Sequence, residues 1–304
     1  MTSSVVSRTR PLARRSTPRH YLMCPPTFFD VRYVLNPWMT PGAPVDGRRA
    51  LAEWSALVSS YRAHGHRVDL LEPVEGLPDL VFTANGATVV DGHVLQARFA
   101  NPQRSAEAGV HAAWHREHGW PADAGRRSVT PAGAVNEAEG DFAVLADRVL
   151  AGHGFRTALE AHAELAALTG REVVSLELVD PYFYHLDVAL AVLDDRRDHI
   201  AYYPPAFSEP SRRLLARLFP DAVLASDADA ACLGLNCVSD GATVWVPAGA
   251  SHLVGALAEL GYDPVEIDLS ELRRGGGSVK CCTQELRPPH PLRSRPPQEG
   301  PIPC

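Results

Sequence analysis

A cysteine pair follows a run of three glycines near the carboxyl end of the chain. Gly275-Gly276-Gly277 permits close backbone approach and unusual φ angles, and Ser278-Val279-Lys280 separates it from Cys281-Cys282-Thr283. A thiol just beyond such a loop can serve as a nucleophile, although a free cysteine equally well packs as a small apolar residue. No Gly-Lys-Ser/Thr follows at the spacing of a phosphate-binding loop, which argues against a nucleotide site.

Two further motifs carry imidazole and carboxylate groups. His185 and Asp187 are two residues apart, so on a strand both would point to one face, where an imidazole beside a carboxylate suits general acid–base chemistry. Glu137, Glu139 and Asp141 would likewise share a face of an extended segment, and so many negative charges near a core favour a cation close by. A structural core histidine and a solvated acidic loop remain the alternatives.

The thiol, the imidazole and the carboxylates suit one another chemically. They fit a nucleophilic cysteine that acts on a cationic, planar substrate, because a guanidinium group matches paired carboxylates. Asn36 and the polar ends of segment 79–85, which we interpret as an apolar strand, complete the set of polar positions. None of the six cysteines forms a C-x-x-C pair, and no spacing of zinc ligands occurs, so we expect no metal.

The composition excludes several classes of protein. The chain has 304 residues, of which 45% are apolar and 21% charged, as in a globular protein. The net charge of −7 argues against a general nucleic-acid binder, and no apolar run approaches the ~18 residues of a membrane span. Six cysteines in a chain of this size do not form the pattern of a secreted disulfide framework, and we expect a cytoplasmic protein.

Both ends of the chain are predicted to lie outside the folded domain. Residues 1–19 contain five arginines, no acidic residue and no apolar stretch, which is typical of a basic disordered tail rather than a secretory signal. Residues 287–304 contain seven prolines and are predicted to be disordered as well. The sequence therefore predicts a single folded domain over residues 20–286.

The elements that would position the polar residues repeat along the chain. Apolar residues at helical spacing predict helices at about 47–65, 102–118, 155–169, 207–218 and 251–260. A short strand follows most of these helices, although the one around residue 128 is poor. Hairpins follow, and the Asp-Gly pairs at 91–92 and 240–241 are strong turn signals because both turn residues need positive φ. Two more hairpins turn near residues 147 and 195.

The repeat spacing decides the architecture. The four hairpin centres are 45–56 residues apart, and a fifth unit would join Cys281 and its preceding strand to an opening strand at 31–35. Five strand–hairpin–helix units arranged radially make a closed α/β propeller, which leaves no exposed sheet edges and places equivalent loops around one central mouth. A doubly wound α/β sheet explains the alternation of strands and helices but not the hairpins.

In these motifs the sequence resembles the superfamily of guanidino-group-modifying enzymes, whose fold is the five-bladed α/β propeller. It is most similar to the dimethylarginine dimethylaminohydrolases and the arginine dihydrolases. The matching landmarks span nearly all of residues 20–286. They are Asn36-Pro37-Trp38-Met39, residues 79–85, residues 98–104, residues 137–141, His185-Leu186-Asp187 and Cys281-Cys282-Thr283.

The resemblance implies roles for named residues. Cys281, rather than Cys282, corresponds to the nucleophile, His185 to the general acid and base, and Glu137 to the guanidinium-binding glutamate, with Glu139 as the competing choice. The implied substrate-binding residues are Asn36, Asn85, Arg104, Asp141 and, as a second carboxylate for the guanidinium, Asp187. It further implies a small guanidino substrate and no organic cofactor.

Several alternatives stay open at this point. The resemblance implies a hydrolase that cleaves a guanidino C–N bond through a thiouronium intermediate bound to Cys281, which water then hydrolyses. An amine instead of water could resolve this covalent intermediate, which would make the protein an amidinotransferase. The substrate could be arginine or a methylated arginine, and the product citrulline or ornithine. A non-catalytic binding protein on the same fold would not need the thiol, imidazole and carboxylates together. The sequence does not indicate an oligomeric state.

Overall fold

The computed structural model describes residues 14–42, 44–119 and 129–289. In chain order its strands are β1 His20–Met23, β2 Arg67–Leu70, β3 Ala87–Val90, β4 His93–Gln96, β5 Val129–Thr130, β6 Phe142–Val144, β7 Arg148–His153, β8 Glu172–Glu177, β9 Leu190–Asp194, β10 His199–Tyr202, β11 Val223–Leu224, β12 Val238–Ser239, β13 Thr243–Pro247, β14 Asp263–Ile267 and β15 Gln284–Glu285. The helices are α1 Gly47–Ala63, α2 Glu107–Glu117, α3 Leu159–Thr169, α4 Glu209–Leu218, α5 Asp227–Ala231, α6 Ser251–Glu259 and α7 Ser270–Arg273.

Within the described residues the strands form five sheets of three strands with one repeated topology. The sheets are β3-β4-β5, β6-β7-β8, β9-β10-β11, β12-β13-β14 and β15-β1-β2. In each, the first two strands are antiparallel and the third runs parallel to the central one. This is the predicted five-bladed α/β propeller, and the sequence-predicted helices are confirmed to within a few residues.

The two Asp-Gly hairpins form by different means. Asp91 and Gly92 both have positive φ, 50° and 80°, as a two-residue hairpin turn requires. At the other pair only Gly241 does, with φ of 97°, so the prediction that both residues need positive φ is wrong there. Instead the Asp240 carboxylate accepts hydrogen bonds from the backbone N–H groups of Ala242 (2.8 Å) and Thr243 (2.7 Å), which closes the turn through a side chain.

Closure of the propeller differs from the prediction. Residues 31–35 form an irregular loop and not the opening strand. The fifth sheet is instead built on β1, which pairs parallel with β2 and antiparallel with β15. The first and last strands of the described chain therefore complete one blade together, and Leu35 of the loop lines the cavity that Cys281 also lines.

Three segments that were interpreted as extended form short 3-10 turns. The turns Pro78–Val81 and Thr83–Asn85 take the place of the strand expected at 79–85. The acidic segment contains Ala138–Gly140, and His185 is followed by Leu186–Val188. Pro78 donates no backbone hydrogen bond, which disfavours a strand at that place. Each turn directly precedes the first strand of a hairpin, so a turn and not a strand presents the polar side chains.

The folded part extends beyond residues 20–286 at both ends. Arg19 donates to Asp195 at 2.9 Å, Ser16 Oγ donates to Asp240 at 2.7 Å, and Arg287 pairs with Glu285 at 2.8 Å. The remainder of the two predicted tails, 1–13 and 290–304, lies outside the described residues. Across the described part of the chain, no helix is long and apolar enough to span a membrane.

Candidate active site

The five blades each direct a polar residue to one end of the propeller axis. These residues are Asn85 before β3, Asp141 before β6, Asp187 before β9, Asn236 before β12 and Cys281 before β15. Positions far apart in sequence thereby meet. Cys281 contacts Asp187 and Asn236, and Asn85 donates to the carbonyl of Glu137 at 3.2 Å.

Cys281 lies at the centre of this group. Its Sγ donates to Asp187 Oδ2 at 3.1 Å and accepts from Asn236 Nδ2 at 3.1 Å. Burial, and then the neighbouring Asp187 carboxylate, raise the pKa of the Cys281 thiol well above its usual value. Burial also raises the pKa of Asp187, to about 6, against the lowering effect of the thiol hydrogen bond. Cys282 is fully buried in the apolar core.

The glycine run is explained by close packing against the nucleophile turn. A Cβ atom added to Gly277 would lie 2.5 Å from the Phe82 ring and 2.9 Å from Cys281 Cβ. Gly276 has φ of 87°, a region that side chains disfavour, and its carbonyl accepts from the Tyr184 hydroxyl at 3.0 Å. The three glycines therefore let this turn approach the axis.

His185 and Glu137 form the second reactive pair. His185 Nε2 lies 2.9 Å from Glu137 Oε2, which also accepts from Arg156 Nη1 at 2.9 Å. Burial alone would raise the pKa of Glu137, but the His185 hydrogen bond and the Arg156 charge lower it to about 2. The other ring nitrogen of His185 is buried and has no hydrogen-bond partner among the described residues. A stable carboxylate thus faces one side of the ring.

The three acidic residues of the second blade do not share a face, contrary to the prediction. The turn at Ala138, whose φ is 52°, sends Glu139 away from Glu137 to Lys280 Nζ and Arg287 Nη1, both at 2.6 Å. Asp141 accepts from the Leu186 backbone N–H at 3.0 Å. Its second oxygen accepts from the Thr157 hydroxyl, so protein groups engage both carboxylate oxygens. Burial raises the pKa of Asp141 to about 6.

A small cavity opens onto Cys281. Among the predicted substrate-binding residues, Asn36, Asn85 and Arg104 line it, whereas Asp187 and Asp141 do not. Arg104 is held by Glu107 at 2.7 Å and donates to Asn85 Oδ1 at 2.9 Å.

Two further charged groups line the same cavity. Asp79 is 1% exposed; its Oδ2 accepts from the Tyr33 hydroxyl at 2.8 Å, and its Oδ1 has no partner among the described residues. Arg156 donates to the Leu35 carbonyl at 2.7 Å. The cavity therefore combines a thiol, a carboxylate and two guanidinium groups.

Sequence reasoning assigned no role to Asp79, Arg156 or Asn236. The sequence did contain a signal for Asn236, because this residue precedes the fourth hairpin just as Asn85 precedes the first and Asp187 the third. A signal for Asp79 was also present, because it is the polar residue at the start of segment 79–85. Arg156 follows β7 in a loop with no recurring motif, and only the folded chain reveals that its guanidinium reaches Glu137.

Comparisons with known proteins show which proteins the whole chain is similar to. No protein-family model matches the chain. The chain is 50% identical over 291 residues to an N(G),N(G)-dimethylarginine dimethylaminohydrolase of Mycobacterium tuberculosis, covering 95% of this chain and 93% of the relative. It is 36% identical over 280 residues to the bifunctional arginine dihydrolase/ornithine cyclodeaminase AgrE of a Nostoc species, covering 90% of this chain and 38% of the relative.

Solved structures give the same result. The crystal structure of a substrate-bound mutant of the N-terminal domain of ArgZ, a cyanobacterial arginine dihydrolase, superposes with a TM-score of 0.82 at 32% identity. The match covers 89% of this chain and 99% of that domain. A dimethylarginine dimethylaminohydrolase bound to S-methyl-L-thiocitrulline superposes with a TM-score of 0.74 at 21% identity, which supports the fold.

Proposed function

This chain belongs to the family of dimethylarginine dimethylaminohydrolases and arginine dihydrolases, cysteine-dependent hydrolases of guanidino C–N bonds, and from that premise we propose that it hydrolyses a free methylated arginine or arginine itself. The cavity above Cys281 is the observation that supports a free amino acid as the substrate. Its charges fit a free amino acid, which brings a carboxylate and an ammonium group besides its guanidinium.

The lining charges suggest how such a substrate is oriented. Arg104 and Arg156 supply planar donors for the α-carboxylate, and the unpartnered Oδ1 of Asp79 can accept from the α-ammonium. The guanidinium then extends toward Cys281, with Asp187 beside the sulfur. Asn36 and Asn85 offer amide groups between these ends. Asp141 acts indirectly, because it holds the turn that carries His185 and Asp187.

The chemistry follows from the thiol and the imidazole. A guanidinium cation beside Cys281 offsets the effect of burial and of Asp187, and so favours the thiolate. The thiol proton passes to His185, the thiolate attacks the guanidinium carbon, and His185 gives this proton to the departing amine as the C–N bond breaks. His185 then takes a proton from the water that hydrolyses the S-alkylthiouronium and releases the thiol. Glu137 is ionised and stabilises the ring of His185 in the steps in which that ring carries a proton.

The state of the cysteines bears on where the protein is located in the cell. The five described cysteines are all free, which suits a reducing compartment, and we place the protein in the cytoplasm. The catalytic unit is one domain, residues 20–286, extended by the contacts of residues 14–19 and of Arg287.

The direct test is product analysis on separate substrates. Purified protein is incubated with N(G),N(G)-dimethylarginine or with arginine, and dimethylamine, ammonia, citrulline and ornithine are quantified. We expect amine release that survives a chelator and stops on thiol alkylation. Release that depends on an added acceptor amine would show an amidinotransferase. Chelator-sensitive activity, or no amine from either compound, would contradict the proposal.

A further inference from the structure

A buried amide with no predicted role lies against the reactive sulfur. Asn236 is fully buried in the turn that precedes β12. Its Nδ2 donates to Cys281 Sγ and to the carbonyl of Asp187, both at 3.1 Å. Its Oδ1 accepts the backbone N–H groups of Ser278 at 3.0 Å and Cys281 at 3.1 Å. One side chain therefore joins the fourth blade to the nucleophile turn and to the third blade.

The surroundings determine which way this amide points. A side-chain amide has two N–H donors and a carbonyl oxygen with two lone pairs, and all four are used here. The reversed orientation would place the NH₂ group against two backbone donors and the oxygen against the carbonyl of Asp187. Both contacts would be repulsive, so an N–H of Asn236 must face the sulfur.

This N–H faces a sulfur that has few other sources of stabilisation. Cys281 is 2% exposed, so water contributes little. The Asp187 carboxylate opposes a negative charge on the sulfur, and besides Asn236 the backbone N–H of Ser278 favours it. A hydrogen bond to a charged acceptor is stronger than one to a neutral acceptor. The contact with Asn236 therefore strengthens when the thiol loses its proton, and it favours the reactive form.

We propose that Asn236 is a catalytic residue of this hydrolase, whose Nδ2 group stabilises the Cys281 thiolate while its Oδ1 fixes the backbone of the nucleophile turn. The proposal rests on the proposed role of Cys281 as the nucleophile. Asn236 Nδ2 is then a second source of stabilisation for the Cys281 thiolate besides the substrate cation, and its effect is greatest before that cation is bound.

The test measures thiolate formation without turnover. Substrate-free protein is treated with iodoacetamide across a range of pH, and modification of Cys281 is located by fragment-ion mass spectrometry. Asn236→Asp keeps an oxygen for the two backbone N–H groups and removes the donor. At pH 7 we expect Cys281 alkylation to slow by about 10- to 100-fold, the range for a lost hydrogen bond to a charged group. The rate should recover as the pH is raised, and kcat should fall more than KM rises.

Two further variants separate this effect from others. Asn236→Ala removes the donor without adding a carboxylate, and it should also shift the alkylation profile to higher pH. Gln284→Glu makes the same amide-to-carboxylate change at a fully buried side chain three residues from Cys281, whose partners are the Ala87 carbonyl and His115. This control should leave the alkylation profile in place.

Failure of the proposed role of Asn236 and failure of the proposed role of Cys281 give different results. If Cys281→Ser retains turnover, the assignment of the nucleophile is wrong, whatever the Asn236 variants do. If Cys281→Ser is inactive but folded Asn236→Asp and Asn236→Ala alkylate with the wild-type pH profile, the role of Asn236 alone is overturned. A shift confined to the Asn236 variants supports it.

Discussion

Two adjacent cysteines occupy the nucleophile turn, and only one contacts polar groups of the site. Cys281 meets Asp187 and Asn236, whereas Cys282 lies in the apolar core. We expect Cys281→Ser to abolish turnover and Cys282→Ser to retain most of it, because only the former removes the reacting sulfur. Steady-state amine release from both variants, with circular dichroism to verify folding, checks this. The reverse pattern would contradict the assignment.

Two glutamates two residues apart serve separate networks. Glu137 holds His185 and Arg156, and Glu139 holds Lys280 and Arg287. Glu137→Gln should therefore lower kcat/KM by a factor equivalent to about 2–5 kcal/mol, the cost of removing one charge from a buried pair. Glu139→Gln should chiefly lower the free energy of unfolding, by about 3 kcal/mol.

Kinetics and urea unfolding of both glutamate variants test this division. A larger loss of kcat/KM at Glu139 would reverse the assignment. The sequence alone left the choice open, because an extended segment would have put both side chains on one face.

At the scale of elements, turns and not strands carry the reactive groups. A turn between two blades can bring its backbone to the axis only where side chains leave room, and Gly277 marks such a place. Gly277→Ala would put a methyl group 2.5 Å from Phe82 and 2.9 Å from Cys281 Cβ. We expect kcat to fall by about 100-fold, a loss that a displacement of a reacting group by about 1 Å can cause.

A matched substitution lies in α6. A Cβ atom added to Gly255 meets nothing within 4 Å, so Gly255→Ala should leave kcat unchanged and raise the free energy of unfolding by about 0.5–1 kcal/mol. Equal kinetics of Gly277→Ala and Gly255→Ala would show that the close approach at Gly277 is not needed for catalysis.

At the scale of the whole molecule, the blades bury ionisable groups outside the site. His115 on α2 is fully buried and contacts Gln284 in the closing sheet. Burial, and then the charge of His118, lower the pKa of His115 to about 4 from 6.5. The unfolded chain therefore binds this proton at higher pH than the folded chain does. The stability that the neutral ring provides is present above pH 6.5 and is lost as the pH falls toward 4.

This linkage predicts how one variant differs from the wild type. Between pH 7 and pH 5 the wild type should lose about 2 kcal/mol of unfolding free energy relative to His115→Gln, which does not titrate in this range. Urea unfolding at both pH values measures the difference. His64→Gln, at an exposed position, should follow the wild type. A constant gap between wild type and His115→Gln would contradict the inferred burial of a neutral ring.

The sequence by itself determined the repeat, the five-bladed architecture and most of the polar residues at the axis. Hairpin spacing, helical periodicity and local motifs such as His185-Leu186-Asp187 are properties of neighbouring residues, so they can be read without coordinates. The family likeness follows from the same motifs, and the relatives and solved structures confirm it.

Only the tertiary structure decided which groups meet. Arg156 reaches Glu137, and Asn236 reaches Cys281, across 19 and 45 residues of chain respectively. Glu139 turns away from Glu137 because a short turn replaces the expected strand. The strand that closes the fifth blade was predicted wrongly as 31–35, since β1 and 31–35 are both short apolar segments and only β1 pairs with β2 and β15. These outcomes depend on the directions in which turns from different blades project, and no local pattern encodes those directions.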